Sequence, residues 1–161
     1  MTTPPRTPED FMREAIRLAE DGMRNGQGGP FGCVVVRAGE IVGRGNNRVT
    51  STNDPTAHAE VVAIREACRH LDTFQLQDCE LFTSCEPCPM CLAAIYWARI
   101  PRVHFANTRA DAAAIGFDDD FLYEEIAKNI ADRRLHMTTL LRDEAMESFR
   151  EWLAKEDKIR Y

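Results

Sequence analysis

The sequence predicts an α/β protein in which helices cover both faces of one sheet. Three observations predict it. Short β-prone runs alternate with longer segments of helical periodicity along most of the 161 residues. Glycine, proline and asparagine clusters punctuate the boundaries between them. The length suits a single domain that buries its own core without staples.

Asp10 to Arg24 reads as an amphipathic helix, with Met12, Ile16, Ala19 and Met23 on one face. Asn25-Gly26-Gln27-Gly28-Gly29-Pro30 ends it. Phe31 to Val36 is a continuous β-prone run, so a buried strand is expected. Ala38-Gly39 turns the chain, and Glu40 to Arg44 returns as a hairpin partner. Asn46 to Asn53 is polar and loop-like. Asp54-Pro55 looks like a helix start that runs to about His70, with Val61, Ile64 and Ala67 inward. Cys79 to Ser84 is a short strand. Glu86-Pro87-Cys88-Pro89 opens a further helix through Trp97, since prolines are tolerated in a first turn. Val103 to Ala106 is a strand, Asp111 to Ala114 a short helix and Gly116 to Asp120 a loop. Leu135 to Leu141 is a candidate fifth strand. Arg142 to Ala154 is a final helix that aligns Met146, Phe149 and Trp152-Leu153.

Hydrophobic residues make up 44% of the chain and charged residues 29%, an ordinary globular composition. No apolar run approaches the ~20 residues that cross a bilayer. Residues 1–8 read as a flexible tail without the apolar core of a signal peptide, so a cytoplasmic protein is expected. Twenty basic against 26 acidic residues give a net charge of -6. A nucleic-acid binder displaces counterions with a basic patch, so this balance argues against nucleic acid and for a small substrate.

Six cysteines occur, and three of them, Cys85, Cys88 and Cys91, fall within seven residues. Without a secretory leader that spacing fits a metal site better than a disulfide framework. Cys88 and Cys91 are three apart, so a helix projects both sulfurs from one side. The positive end of that helix favours thiolate, the form that binds zinc. His58 also sits near a helix start. One imidazole and two thiolates make three ligands, which leaves a fourth position open for water, as in a catalytic zinc site. Such a centre makes hydroxide available near neutral pH. Glu60 is two residues from His58, a poor fourth ligand but well placed to carry a proton. His-x-Glu followed by Pro-Cys-x-x-Cys is a signature of zinc deaminases, and His58-Ala59-Glu60 with Pro87 to Cys91 resembles it. The competing reading is a structural site with Cys85 as fourth ligand, which leaves Glu60 idle. Cys33, Cys68 and Cys79 read as packing, and His70, His104 and His136 take no role.

His58-Ala59-Glu60 and Cys85 to Cys91 resemble the cytidine and deoxycytidylate deaminase superfamily. Gly28 to Gly32, Asn53 to Glu60, Thr83 to Cys88, Ala94 to Arg99, Gly116 to Asp119 with Tyr123, and the final Tyr161 resemble its bacterial guanine deaminase branch. The likeness covers nearly the whole chain after residue 8. It implies a cytidine-deaminase-like three-layer α/β/α sandwich with a five-stranded mixed sheet over residues 9–161, and one zinc per chain. It implies a homodimer in which the segment from about 120 to 161 is exchanged. By the same resemblance, Asn47 hydrogen-bonds the base, Phe31 walls the pocket, and backbone N–H groups at Ala59 and Cys88 steady the reacting groups. Asp119 is then a second acid over the substrate and Tyr161 a lid on the neighbouring site. The reaction implied is guanine plus water to xanthine plus ammonia. Guanosine, and adenosine in tRNA, remain alternative substrates.

Overall fold

The structure, a computed structural model, describes residues 6–161. It divides into two compact units, Met1–Asp120 and Phe121–Tyr161. The tail expected over residues 1–8 lies outside the described residues as far as Pro5. Beyond it, Thr7 caps a helix that begins at Pro8.

That helix, α1 (Pro8–Arg24), opens on a reciprocal cap. The Thr7 hydroxyl accepts from the Asp10 backbone N–H, and the Asp10 carboxylate accepts from the Thr7 N–H at 2.9 Å. The buried stripe is Phe11, Ala15, Ala19 and Gly22; Ala19 is buried as expected, while Ile16 and Met23 are exposed. Small residues won because the helix lies against the sheet at close range. A Cβ on Gly32 would meet the Ala15 carbonyl oxygen at 2.1 Å.

β1 (Gly32–Arg37) and β2 (Glu40–Asn46) form the expected hairpin, antiparallel, with a register shift between Val35 and Val36. β2 runs two residues further than expected, which brings Asn46 into the sheet and leaves Asn47 just past its end. A single turn, α2 (Val49–Thr52), follows. The helix expected from Asp54-Pro55 begins later, as α3 (Ala59–Leu71). Asp54 instead closes a local turn, its carboxylate accepting from the Thr56 backbone N–H at 2.8 Å and the Thr56 hydroxyl at 2.6 Å. Ile64 and Ala67 are buried as expected, while Val61 is only half-buried.

β3 (Cys79–Cys85), α4 (Pro89–Trp97) and β4 (Arg102–Asn107) complete the sheet. Its order is β2-β1-β3-β4, antiparallel between the first three and parallel between β3 and β4. The β3-α4-β4 crossover allows the parallel pair. α1 covers one face, packing Phe11 against Val34, Val36 and Phe82. α3 and α4 cover the other around Cys33, Val35, Leu81, Ala63 and Ile95. The fold is therefore α/β with helices on both faces, as expected. Glycine again sets the closeness of approach: a Cβ on Gly45 would meet the Ala59 carbonyl oxygen at 2.1 Å. α5 (Arg109–Ala114) carries its own reciprocal Thr108–Asp111 cap.

The second unit holds α6 (Asp120–Ala127, beginning at the boundary), a 3-10 turn at Ile130–Asp132 and α7 (Arg142–Ala154). α7 has the bounds expected. The sheet has four strands among the described residues, not the five expected, because Leu135 to Leu141 forms no strand. Its composition is β-prone, but a strand needs an edge to pair with. Leu141 moreover adopts a left-handed φ of 53° as it enters α7, which no strand residue does.

Candidate active site

Two helix beginnings meet at the site. His58 is the extended residue immediately before α3 (φ -71°, ψ 155°), and Cys88 is its counterpart before α4 (φ -65°, ψ 167°). Cys88 thus sits one position ahead of the first turn in which it was expected, with Pro89 as the first helical residue. Cap geometry turns both side chains off the ends of their helices and toward each other. Cys91, one turn into α4, faces the same point. His58 Nδ1 lies 3.5 Å from the sulfur of Cys88 and 3.5 Å from that of Cys91. The three ligating atoms lie within 4.8 Å of one another.

This triangle can be tested against a metal. A tetrahedral zinc lies about 2.3 Å from sulfur and about 2.0 Å from nitrogen, which sets an S···N separation of about 3.5 Å. The two S···N distances match it. The donor set, one imidazole and two thiols, is also what zinc selects. Cys85, the rival fourth ligand, does not join the group: its thiol donates to the Thr108 carbonyl at 3.6 Å, and burial holds it up at about 11. Three protein ligands are present among the described residues, so the arrangement suits an open site rather than a closed one.

The protonation states agree. Hydrogen bonding from the Cys91 thiol and from His58 brings Cys88 down to about 4 against the opposing effect of burial. Cys91 is pushed far up by the same contact with Cys88 and by burial. A cation bound between the two sulfurs favours the thiolate at both. His58 is raised by its hydrogen bond to Cys88, partly offset by burial.

Glu60, in the first turn of α3, is 6% exposed, unusual for a carboxyl group. Burial pushes its pKa up, opposed by hydrogen bonds from its own backbone N–H, Cys91 and Thr83. The Thr83 hydroxyl donates to Glu60 Oε1 at 2.9 Å. Glu60 lines a cavity of about 470 Å³ together with His58, Cys88, Phe31, Asn47 and Asp119. That size is usual for small-ligand sites.

Asn47 is buried at the end of β2. Its Oδ1 accepts from the backbone N–H of Gly29 at 3.3 Å and of Val49 at 3.2 Å. Since both partners are donors, the amide oxygen must face them, and the NH2 group is left for the cavity. Gly28 makes this possible: a Cβ there would meet Asn47 Oδ1 at 2.2 Å. Phe31 meets Phe117 edge-to-face, with ring centroids 4.9 Å apart at 89°. Asp119 is the half-buried member of its acidic run. Burial, then the charge of Cys88, raises its carboxyl. Asp118 also lines the cavity, whereas Asp120 starts α6 and pairs with Arg109 at 3.6 Å.

Ala59 is expected to act through its backbone N–H, and Tyr161 at the site of a neighbouring copy. Ala59 is fully buried under Gly45, so only its backbone is available to the site. Tyr161 belongs to the second unit and is exposed. Sequence reasoning missed Thr83 and Phe117. Phe117 was within reach of it, as an aromatic next to the glycine that precedes the acidic run. Thr83 lies within the Thr83 to Cys88 stretch, but nothing local there signals its contact with Glu60.

The cytidine and deoxycytidylate deaminase zinc-binding region matches residues 5–107. The chain is 50% identical to the guanine deaminase of Bacillus subtilis (strain 168) over 95% of its own length and 98% of the relative. The X-ray structure of guanine deaminase from B. subtilis superposes with a TM-score of 0.94 at 49% identity, over 97% of this chain and 99% of that one. A guanine deaminase structure from Nitrosomonas europaea gives a TM-score of 0.67 at 33% identity, over 92% of this chain and 86% of that one. A tRNA-specific adenosine deaminase of Aquifex aeolicus is 44% identical over 61% of this chain and 64% of its own. The chain belongs to the zinc-dependent cytidine and deoxycytidylate deaminase family, in its guanine deaminase branch.

Proposed function

We propose that this chain hydrolyses guanine to xanthine and ammonia. The observation that carries the reading is the full-length identity to a guanine deaminase, 50% over 95% of the chain. The tRNA-specific adenosine deaminase above matches only 61% of it. The net charge of -6 also disfavours an RNA substrate.

His58, Cys88 and Cys91 hold one zinc ion, which supplies a Lewis acid able to make water nucleophilic near neutral pH. The remaining work belongs to the chain. Glu60 accepts the proton that the water gives up as its oxygen bonds to C2 of the base. It passes that proton to N3, then carries the proton of the hydroxyl added at C2 to the exocyclic amine, so that the C2–N bond breaks, ammonia leaves and the C2–O bond becomes a carbonyl. Burial suits Glu60 to this task, because a carboxyl with a raised pKa holds a proton long enough to hand it on. Asp119 assists the second transfer. Asn47 donates its NH2 to an acceptor of the base, Phe31 walls the ring, and the backbone N–H groups at Ala59 and Cys88 steady the reacting oxygen.

The quaternary reading is a homodimer of single deaminase domains, each exchanging the segment from about 120 to 161 so that Tyr161 covers the neighbouring pocket. What supports it is the second unit itself. None of its residues is buried, and Leu140, Phe149 and Leu153 are exposed. Apolar surface of that extent is usual at an interface. A cytoplasmic setting accords with six cysteines that form no disulfide. No helix among the described residues is long and apolar enough to cross a membrane.

Ammonia release measured side by side on guanine, guanosine, adenosine in tRNA, and cytidine tests the function. Guanine is expected to give the highest kcat/KM. A higher value on any other substrate overturns the assignment.

A further inference from the structure

We infer that Thr83 is a positioning residue for proton transfer: its hydroxyl fixes the Glu60 carboxylate from beneath the site. The inference rests on the reading of Glu60 as proton carrier.

Successive residues of β3 alternate between the two faces of the sheet. Cys79 and Leu81 point into the core beneath α3 and α4, and Phe82 points to the α1 face. Thr83 follows Leu81 by two and so shares its face. It lies opposite Cys33 of β1, a member of the same core cluster. A hydroxyl in that row is 1% exposed and has no recourse to water. Two acceptors are in reach, Glu60 Oε1 at 2.9 Å and the Gly32 carbonyl at 3.5 Å. Threonine has one hydroxyl hydrogen, and the shorter contact takes it.

Valine would fill the same space with no polar partner to satisfy. The hydroxyl is therefore not needed for packing, and its physical effect falls on Glu60. Thr83 is well anchored for that purpose, paired to Cys33 on one side and Phe105 on the other. A hydrogen bond from so rigid a point removes rotamer freedom from a long side chain and ties one carboxylate oxygen. The other oxygen is left to exchange protons. Thr83 touches no reacting atom and acts only through Glu60.

The test uses full-length zinc-loaded enzyme with guanine as substrate, comparing wild type, Thr83→Val, Thr83→Ser, Glu60→Gln and the double variant Glu60→Gln/Thr83→Val. Zinc per chain and Tm are measured on each. Thr83→Val is expected to keep its zinc, hold KM within about twofold and lose about 10-fold or more in kcat, as supporting residues of metal sites commonly do. Thr83→Ser restores kcat to within about threefold. Thr83→Val has no further effect once Glu60 is glutamine. Thr83→Ala repeats the loss of the hydroxyl should valine prove hard to accommodate.

Wild-type kcat in Thr83→Val beside an inactive Glu60→Gln overturns the positioning role alone. So does a kcat loss that tracks lost zinc, a serine variant as impaired as the valine one, or an undiminished valine effect in the Glu60→Gln background. Wild-type turnover from Glu60→Gln overturns the Glu60 reading, and the role of Thr83 with it.

Discussion

Replacing Glu60 by glutamine removes the proposed proton carrier and almost nothing else. The amide matches the carboxylate in volume, and its carbonyl oxygen still accepts from the Thr83 hydroxyl, which lies 2.9 Å from Oε1. It cannot take a proton from water and return it. Loss of positioned acid–base catalysis costs about 10²–10⁴-fold in rate, or roughly 3–5 kcal/mol of activation free energy. Glu60 lies outside the ligand group of His58, Cys88 and Cys91, so zinc should stay at one per chain. The assay is ammonia release at saturating guanine, with metal content measured on the same sample. A second readout comes from stability. Burial raises the Glu60 carboxyl, so the folded chain binds that proton more tightly than the unfolded chain does. Stability contributed at low pH is then lost as pH rises from the ordinary carboxylate range through the raised one. Glutamine has no such term. With zinc removed by chelation, Glu60→Gln should melt above wild type at pH 7, and the two should converge as the medium is acidified. Ammonia release within threefold of wild type refutes the catalytic reasoning. An apo variant that melts below wild type at pH 7 refutes the account of the burial.

Three further outcomes follow from the geometry. Cys88→Ala should abolish stoichiometric zinc, while Cys85→Ala should retain it, because the Cys85 thiol is engaged with Thr108; metal analysis after dialysis distinguishes them. Asn47→Asp keeps acceptors for the Gly29 and Val49 N–H groups but loses the NH2 donor. Tm should stay close to wild type while kcat/KM on guanine falls about 10²-fold, the scale of one buried acceptor left without its donor. Charged residues at Phe149 and Leu153 should shift the protein from dimer to monomer in light scattering and lower guanine turnover; a monomeric wild type contradicts the exchange.

The metal-ligand pattern was legible in the sequence because it is short-range. His58 and Glu60, and Cys88 and Cys91, are each held at fixed spacing by one helix beginning, and the chemistry of their side chains narrows the metal to zinc. The layer order was legible too, since hydrophobic runs of strand length alternate with helical periodicity between glycine and proline breaks. What misled was local signal without a partner. Asp54-Pro55 looks like a helix start, yet the Asp54 carboxylate is spent on Thr56, and α3 waits until Ala59. Leu135 to Leu141 looks like a strand, yet no neighbouring edge receives it.

By itself, then, the sequence determined which side chains can bind zinc and carry protons, because a helix fixes spacings of two and three residues regardless of what surrounds it. Only the tertiary structure decided that the two helix beginnings face each other across 3.5 Å. Only there does Thr83 meet Glu60 across 23 positions of chain, and the Asn47 amide turn its oxygen to Gly29. Those contacts depend on how closely α3 seats on Gly45 and on the register of β3, and close packing of distant segments is written in no local pattern.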